Sequence, residues 1–231
     1  IGLAANGRIV LHQGAIDIGQ GSTTVMAQIA ADALGIRVED LDLVGADTDI
    51  TPDAGKTSAS RQTVVSGTAV LRAGAALRRK ILLQANAGAA AEIGFGDGGL
   101  TVRDNGVTRS LDLSGLRVNA RGYVLEAEET YDPPTTPLDA MGQGDPYSVF
   151  GYGAQIAVAS VDVILGTVTL ERIVAAHDVG RAINPMLVEG QIQGGVAQGI
   201  GLALMEEYIP GRTENLHDYL IPTVGDVPEI D

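Results

Sequence analysis

Cysteine and tryptophan are both missing from this 231-residue chain. Without cysteine it holds no disulfide, no thiolate metal site, no cysteine-ligated iron–sulfur cluster and no cysteine nucleophile. Aromatic residues are scarce, 2 Phe and 6 Tyr, so a core must be built from Ala, Val, Ile and Leu. Positive charge is also short: 15 Lys and Arg stand against 29 Asp and Glu, a net −14. That balance argues against a protein whose business is nucleic acid or an anionic membrane surface. An anionic ligand would have to be held mostly by backbone N–H groups and neutral polar side chains. No apolar run reaches the roughly 18 residues of a membrane helix, and no membrane partner is expected. These absences suit a cytoplasmic location. The chain opens at Ile1 without a signal-like region and closes at Asp231 without a capping pattern, as a piece of something longer would.

What is present centres on Ile16-Asp17-Ile18-Gly19-Gln20-Gly21-Ser22-Thr23-Thr24, a strand end, a glycine corner and a first helical turn. Gly19 and Gly21 allow a tight turn and close approach of a ligand, and Ser22, Thr23 or Thr24 can supply an N-cap. A helix N-terminus offers free N–H groups to an anion, so this corner is either an anion site or a plain capped turn. A helix follows over Val25, Ile29, Ala33 and Leu34, stopped by Gly35. Before it, Arg8–Gln13 predicts a strand covered on both faces, and after it Asp40–Val44 predicts another. Lys56-Thr57-Ser58-Ala59-Ser60-Arg61-Gln62-Thr63 opens a long helix to Leu83 or beyond and is the second candidate anion site, with a hydroxyl-rich cap as its plain reading. Arg72, Arg78, Arg79 and Lys80 suit a solvated face and the helix dipole. The three aspartates of the 45–55 loop lack the spacing of a calcium loop.

Residues 85–110 predict a small surface hairpin and Tyr123–Glu128 an edge strand. The proline-rich 131–137 stretch is a linker or long loop. Phe150–Asp162 and Val168–Asp178 predict a β-hairpin turning at Gly166-Thr167. Asn184 and Pro185 then start a helix over Met186–Tyr208. Its interior glycines 190, 194, 195, 199 and 201 each cost about 1 kcal/mol relative to alanine, which predicts close packing against a surface or a ligand. The organisation expected is a first lobe over 1–130 with a variable excursion at about 85–130, a linker at 131–146 and a second lobe over 147–231.

The ordered set Asp17-Ile18-Gly19-Gln20-Gly21, Thr57-Ser58-Ala59-Ser60, His177-Asp178-Val179-Gly180, Asn184-Pro185 and Gly190-Gln191-Ile192-Gln193-Gly194-Gly195 through Gly201 resembles one family over nearly the whole chain. It is similar to the molybdenum-binding large subunit of xanthine dehydrogenases and aldehyde oxidases. The resemblance implies an α+β fold with mixed and antiparallel sheets and long packed helices. It implies molybdopterin with molybdenum, as the mononucleotide or the cytosine dinucleotide. Gly19 and Gln20 would contact the pterin and its neighbourhood. Thr57, Ala59, Ser60 and Gln62 belong to the segment that wraps the cofactor phosphate, and Gln191 would hydrogen-bond the pterin.

Neutral glutamines, donor and acceptor at once, suit a pterin edge. The metal would be held through the pterin and not by side chains of this chain. The family reaction hydroxylates an aldehyde or N-heterocycle with water, passing electrons to iron–sulfur clusters and FAD in partner chains. The general-base glutamate sits in a Gly-Glu-Pro-like motif that this chain lacks, and Glu206, Glu207 and Glu229 do not match it. Partners implied are the other part of the molybdenum subunit, iron–sulfur and flavin subunits or domains, and a small-molecule substrate. The competing reading is a cofactor-free structural or assembly module derived from the family.

Overall fold

The computed structural model describes residues 1–96 and 99–231; Asp97 and Gly98, inside the expected 85–110 excursion, lie outside the described residues. The chain divides into two compact units, Ile1–Thr135 and Thr136–Asp231.

In the first unit, β1 (Gly2–Ala4), β2 (Ile9–His12), α1 (Ser22–Leu34), β3 (Leu41–Val44) and α2 (Gln62–Gln84) precede three short strands, β4 (Glu92–Gly96), β5 (Gly99–Asp104) and β6 (Val107–Ser110), and then β7 (Tyr123–Glu126). One mixed sheet runs β3-β2-β1-β7. β2 and β3 are parallel with α1 as the crossover between them, and β1 is antiparallel to both β2 and β7. β2 is not covered on both faces as expected: Ile9 and Leu11 are fully buried, but Val10 and His12 are only half-buried. Its alternation is that of a strand with one face toward the core. The excursion is a three-stranded antiparallel meander, not a single hairpin.

The helices α1 and α2 pack through small residues. A side-chain carbon on Gly74 would come within 2.8 Å of Ala33 Cβ, and one on Gly67 within 2.9 Å of Ile29 Cδ1. Gly35 ends α1 in the left-handed conformation, its N–H donating to the Ala31 and Asp32 carbonyls, the C-terminal stop that its sequence predicts. Arg78 reaches back from α2 to the Leu34 carbonyl at 2.6 Å and to that of Ala91 at 2.6 Å. Arg72 lies over the Tyr131 ring, and Lys80 donates to the Glu126 carbonyl. Arg78 is half-buried on those carbonyls, so the solvated-face reading is corrected for it; Arg72, Arg79 and Lys80 are exposed, as that reading expects.

In the second unit, β8 (Tyr152–Asp162) and β9 (Thr167–Asp178) form the expected antiparallel hairpin, bulged at Val158/Ala159. Gly166 closes it with φ of 69°, and the Asp162 carboxylate accepts from the Ile164 and Leu165 amides. Then come α3 (Pro185–Leu204) and β10 (Glu229–Ile230), which pairs parallel to β9. Ile173 of β9 with Val196 and Ile200 of α3 forms the buried cluster of this unit, flanked by Leu170, Ile192 and Ile230. Asn184 caps α3, its Oδ1 accepting from the Leu187 amide at 3.1 Å, with Pro185 in the first turn.

The helix stops four residues before Tyr208, where the sequence reading ended it. The Gly201 carbonyl takes both the Met205 and Glu206 amides, and the Glu206 carboxylate folds over Gly201 to accept from the Tyr219 hydroxyl at 2.6 Å. That contact spans 13 residues of sequence and is invisible to helical periodicity.

Candidate cofactor-binding site

The glycine corner after β2 is already filled by an anion of its own. The Asp17 carboxylate accepts from the amides of Gly19 at 2.9 Å, Gly21 at 3.2 Å and Thr23 at 3.0 Å. The Thr23 N–H, helped by those of Gly19 and Gly21, holds the Asp17 carboxyl below the usual carboxylate range. None of the expected hydroxyl caps is used: Gly21 occupies the N-cap position without a side-chain bond, and Ser22 is buried with its hydroxyl unpartnered. Asp17 was missed as a cap because it reaches six residues forward, outside the usual N2 or N3 spacing.

Gln20 folds onto the same corner. Its Oε1 accepts from the Ile18 amide at 2.7 Å and its Nε2 donates to the Ile16 carbonyl at 3.2 Å. A primary amide has two N–H groups and two acceptor lone pairs, so one of each is left for a ligand, in an order fixed by the loop.

The second segment is joined to the first by a relay. Ser66 donates to Gln62 Oε1 at 2.5 Å, Gln62 Nε2 donates to Thr57 Oγ1 at 3.0 Å, and Thr57 donates to the Ile16 carbonyl at 2.8 Å. Gln62 is only 5% exposed, with both ends of its amide engaged inside the fold. The Thr57 proton is also spent. The structure therefore brings Thr57 and Gln62 to the Gln20 loop and turns their side chains inward.

Ala59 and Ser60 behave differently. Both are exposed and left-handed, with φ of 53° and 51°, a conformation that costs a non-glycine residue about 1–3 kcal/mol. Their amides have no acceptor among the described residues. Arg61, next in line, is already right-handed and starts α2 without a side-chain cap, and the first turn of α2 carries no acidic residue. A left-handed residue followed by a right-handed one gathers successive N–H groups into an anion-binding concavity. Arg61 stands beside it, one guanidinium nitrogen on the Lys56 carbonyl at 3.0 Å and on that of Ala54 at 3.3 Å. A cleft of about 280 Å³ opens alongside, lined among others by Leu11, Gln13, Ala15, Arg61 and Val65.

Gln191 lies in the second unit, exposed on α3. The packing expected for the glycines of this helix is met only at Gly201, against Glu206 and Pro222. Around Gly190, Gly194, Gly195 and Gly199 the space a side chain would fill is open. Gln191, Gln198 and these glycines leave a bare, polar helix surface. No group of three or more His, Asp or Glu that could hold a metal ion occurs among the described residues. No helix among them is long and apolar enough to cross a membrane.

The profile of the molybdopterin cofactor-binding domain family matches residues 1–228. The chain is a molybdopterin cofactor-binding domain of the xanthine dehydrogenase and aldehyde oxidoreductase family. Among its relatives is the putative xanthine dehydrogenase molybdenum-binding subunit of Escherichia coli, 33% identical over 98% of this chain and 30% of the relative. The aldehyde oxidoreductase of Desulfovibrio gigas superposes over 99% of this chain and 24% of its own, with TM-score 0.79 and 28% identity. Quinoline 2-oxidoreductase from Pseudomonas putida does so over 99% and 30%, with TM-score 0.76 and 30% identity. The molybdopterin-binding domain thus spans about 30% of the length of that curated relative.

Proposed function

We propose that this domain is the cofactor-holding part of a molybdenum hydroxylase, active together with the remainder of its molybdenum subunit and with iron–sulfur and FAD-bearing chains. The observation that carries the reading is the pair of free amides at Ala59 and Ser60, held in a strained left-handed turn at the uncapped start of α2. An anionic phosphate fits such donors, and a chain with net −14 has few cations to offer instead. Ala59 and Ser60 hold the phosphate of molybdopterin, in its mononucleotide or cytosine dinucleotide form. Gly19 gives the pterin room, and Gln20 and Gln191 offer it amide hydrogen bonds. Thr57 and Gln62 act from behind, fixing the two loops to each other.

When bound, the cofactor supplies two-electron redox chemistry, by which a C–H of an aldehyde or N-heterocycle becomes C–OH. Water supplies the oxygen, and two electrons and two protons leave. The residues of this domain bind and orient the cofactor for that reaction, in the cytoplasm.

Gln20→Ala or Gln191→Ala is expected to weaken cofactor retention about 3- to 10-fold, the worth of one or two lost hydrogen bonds. Pterin fluorescence and molybdenum content of the purified complex measure it. Unchanged occupancy and activity in both variants would remove these two residues from the site.

A further inference from the structure

Among the described residues of the first unit two α-helices begin, and their starts differ in one respect that decides how an anionic ligand can sit. At the start of α1 the Thr23 N–H is bonded to Asp17, whose carboxylate also takes the Gly19 and Gly21 amides just ahead of the helix, the three bonds at 2.9–3.2 Å. The start of α2 has no side-chain cap and no acidic residue in its first turn. We propose that Asp17 is a specificity-determining residue: an internal anion that occupies the α1 start, excludes the cofactor phosphate from it, and leaves the α2 start as the phosphate site.

The geometry supports a positioning role as well. Asp17 pins the amides on both sides of Gln20, while Gln20 bonds Ile16 and Ile18. The corner is closed by its own side chains, so a phosphate entering it would have to displace a carboxylate of like charge. The remaining Gln20 donor and acceptor are offered to a neutral edge and not to an anion. This deepens the reading of 19–20 and 59–60 as cofactor segments, and rests on it for the identity of the anion.

The test uses hydrogen–deuterium exchange on the cofactor-free full protein, with inorganic phosphate as the probe, so that it needs no bound pterin. In the wild type the amides of residues 18–24 should be protected equally with and without phosphate. In Asp17→Ala they should exchange faster, and phosphate should restore protection by roughly 3- to 10-fold, the range for an anion at a helix start. Asp17→Asn, which removes the charge but whose amide oxygen can still accept from the Gly19 and Gly21 N–H groups, should lose less protection than Asp17→Ala and show a weaker phosphate response, and Asp17→Glu should recover part of the phosphate-independent protection. These conservative variants separate the loss of charge from simple misfolding.

Phosphate-dependent protection of 18–24 in the wild type, or no phosphate response in either Asp17→Ala or Asp17→Asn, would overturn the assignment. Absence of pterin from the assembled wild-type complex would instead sink the cofactor reading and leave the exchange result standing.

Discussion

Replacing Gln62 by leucine should destabilise the protein by about 1–3 kcal/mol, because two hydrogen bonds to half-buried hydroxyls are lost, each worth about 0.5–1.5 kcal/mol, while the volume stays filled. Gln62 is 5% exposed, and its amide is the middle link between Ser66 on α2 and Thr57 on the loop. Ser66 loses its acceptor, and Thr57 loses the donor that fixes its hydroxyl toward the Ile16 carbonyl. For a protein of this size that is a fall in melting temperature of roughly 2–4 °C per kcal/mol.

The effect on function should exceed that on stability. Ile16 carries both the Thr57 and the Gln20 hydrogen bonds, so freeing Thr57 loosens the Gln20 loop and the 57–60 turn together. Thr57→Val should reproduce much of the loss, and the double variant should fall short of the sum, as expected for residues in one network. Urea unfolding with pterin content measured in parallel checks this. A Gln62→Leu protein with unchanged stability and full pterin content would mean that the relay positions nothing.

The second large effect is expected at Gly14. A methyl group there would overlap the Pro52 carbonyl oxygen and lie within 3.3 Å of the Ala54 amide. Both are backbone atoms, so no side chain can rotate away. The 52–55 loop is held by the Asp53 carboxylate on the Gly55 amide at 2.7 Å and by Arg61 on the Ala54 carbonyl. The overlap must therefore be relieved by moving the loop that leads into Thr57–Ser60. Gly14→Ala should cost about 1–3 kcal/mol, the usual range for overpacking, and should lower cofactor content as the turn at Ala59–Ser60 shifts. Gly115→Ala, which meets open space, is the control and should stay within about 0.5 kcal/mol of wild type. Equal melting temperatures for the two variants would contradict the close approach.

How much of this was legible in the sequence follows from the reach of each interaction. Gly35, Asn184 with Pro185, and the Gly166 turn were readable because their chemistry is local: a left-handed stop, a side-chain cap and a hairpin closure all act within four residues. The β8–β9 pair was readable from alternation. Asp17 stands inside the glycine motif, but a carboxylate reaching six residues forward to cap Thr23 has no fixed sequence signature. The inward turn of Gln62, Arg78 on the Leu34 carbonyl 44 residues away, and the early end of α3 under Glu206 and Tyr219 are tertiary contacts. No spacing rule points to them. The short strands β1, β4 and β10 were missed because two to five residues carry too little periodicity to register.

Within the proposed site, the residue types were legible and their division of labour was not. Gln20 and Gln191 carry amide groups not wholly engaged by the fold. Ala59 and Ser60 offer their backbone, held left-handed and exposed, which no side-chain pattern reveals. Thr57 and Gln62 belong to the same segment but spend their side chains on the protein.

The most direct measurement is molybdenum and pterin content of the intact wild-type complex, by elemental analysis and by fluorescence of the released pterin. The account predicts one molybdenum and one pterin for each copy of this domain. A purified, folded complex with neither would contradict it.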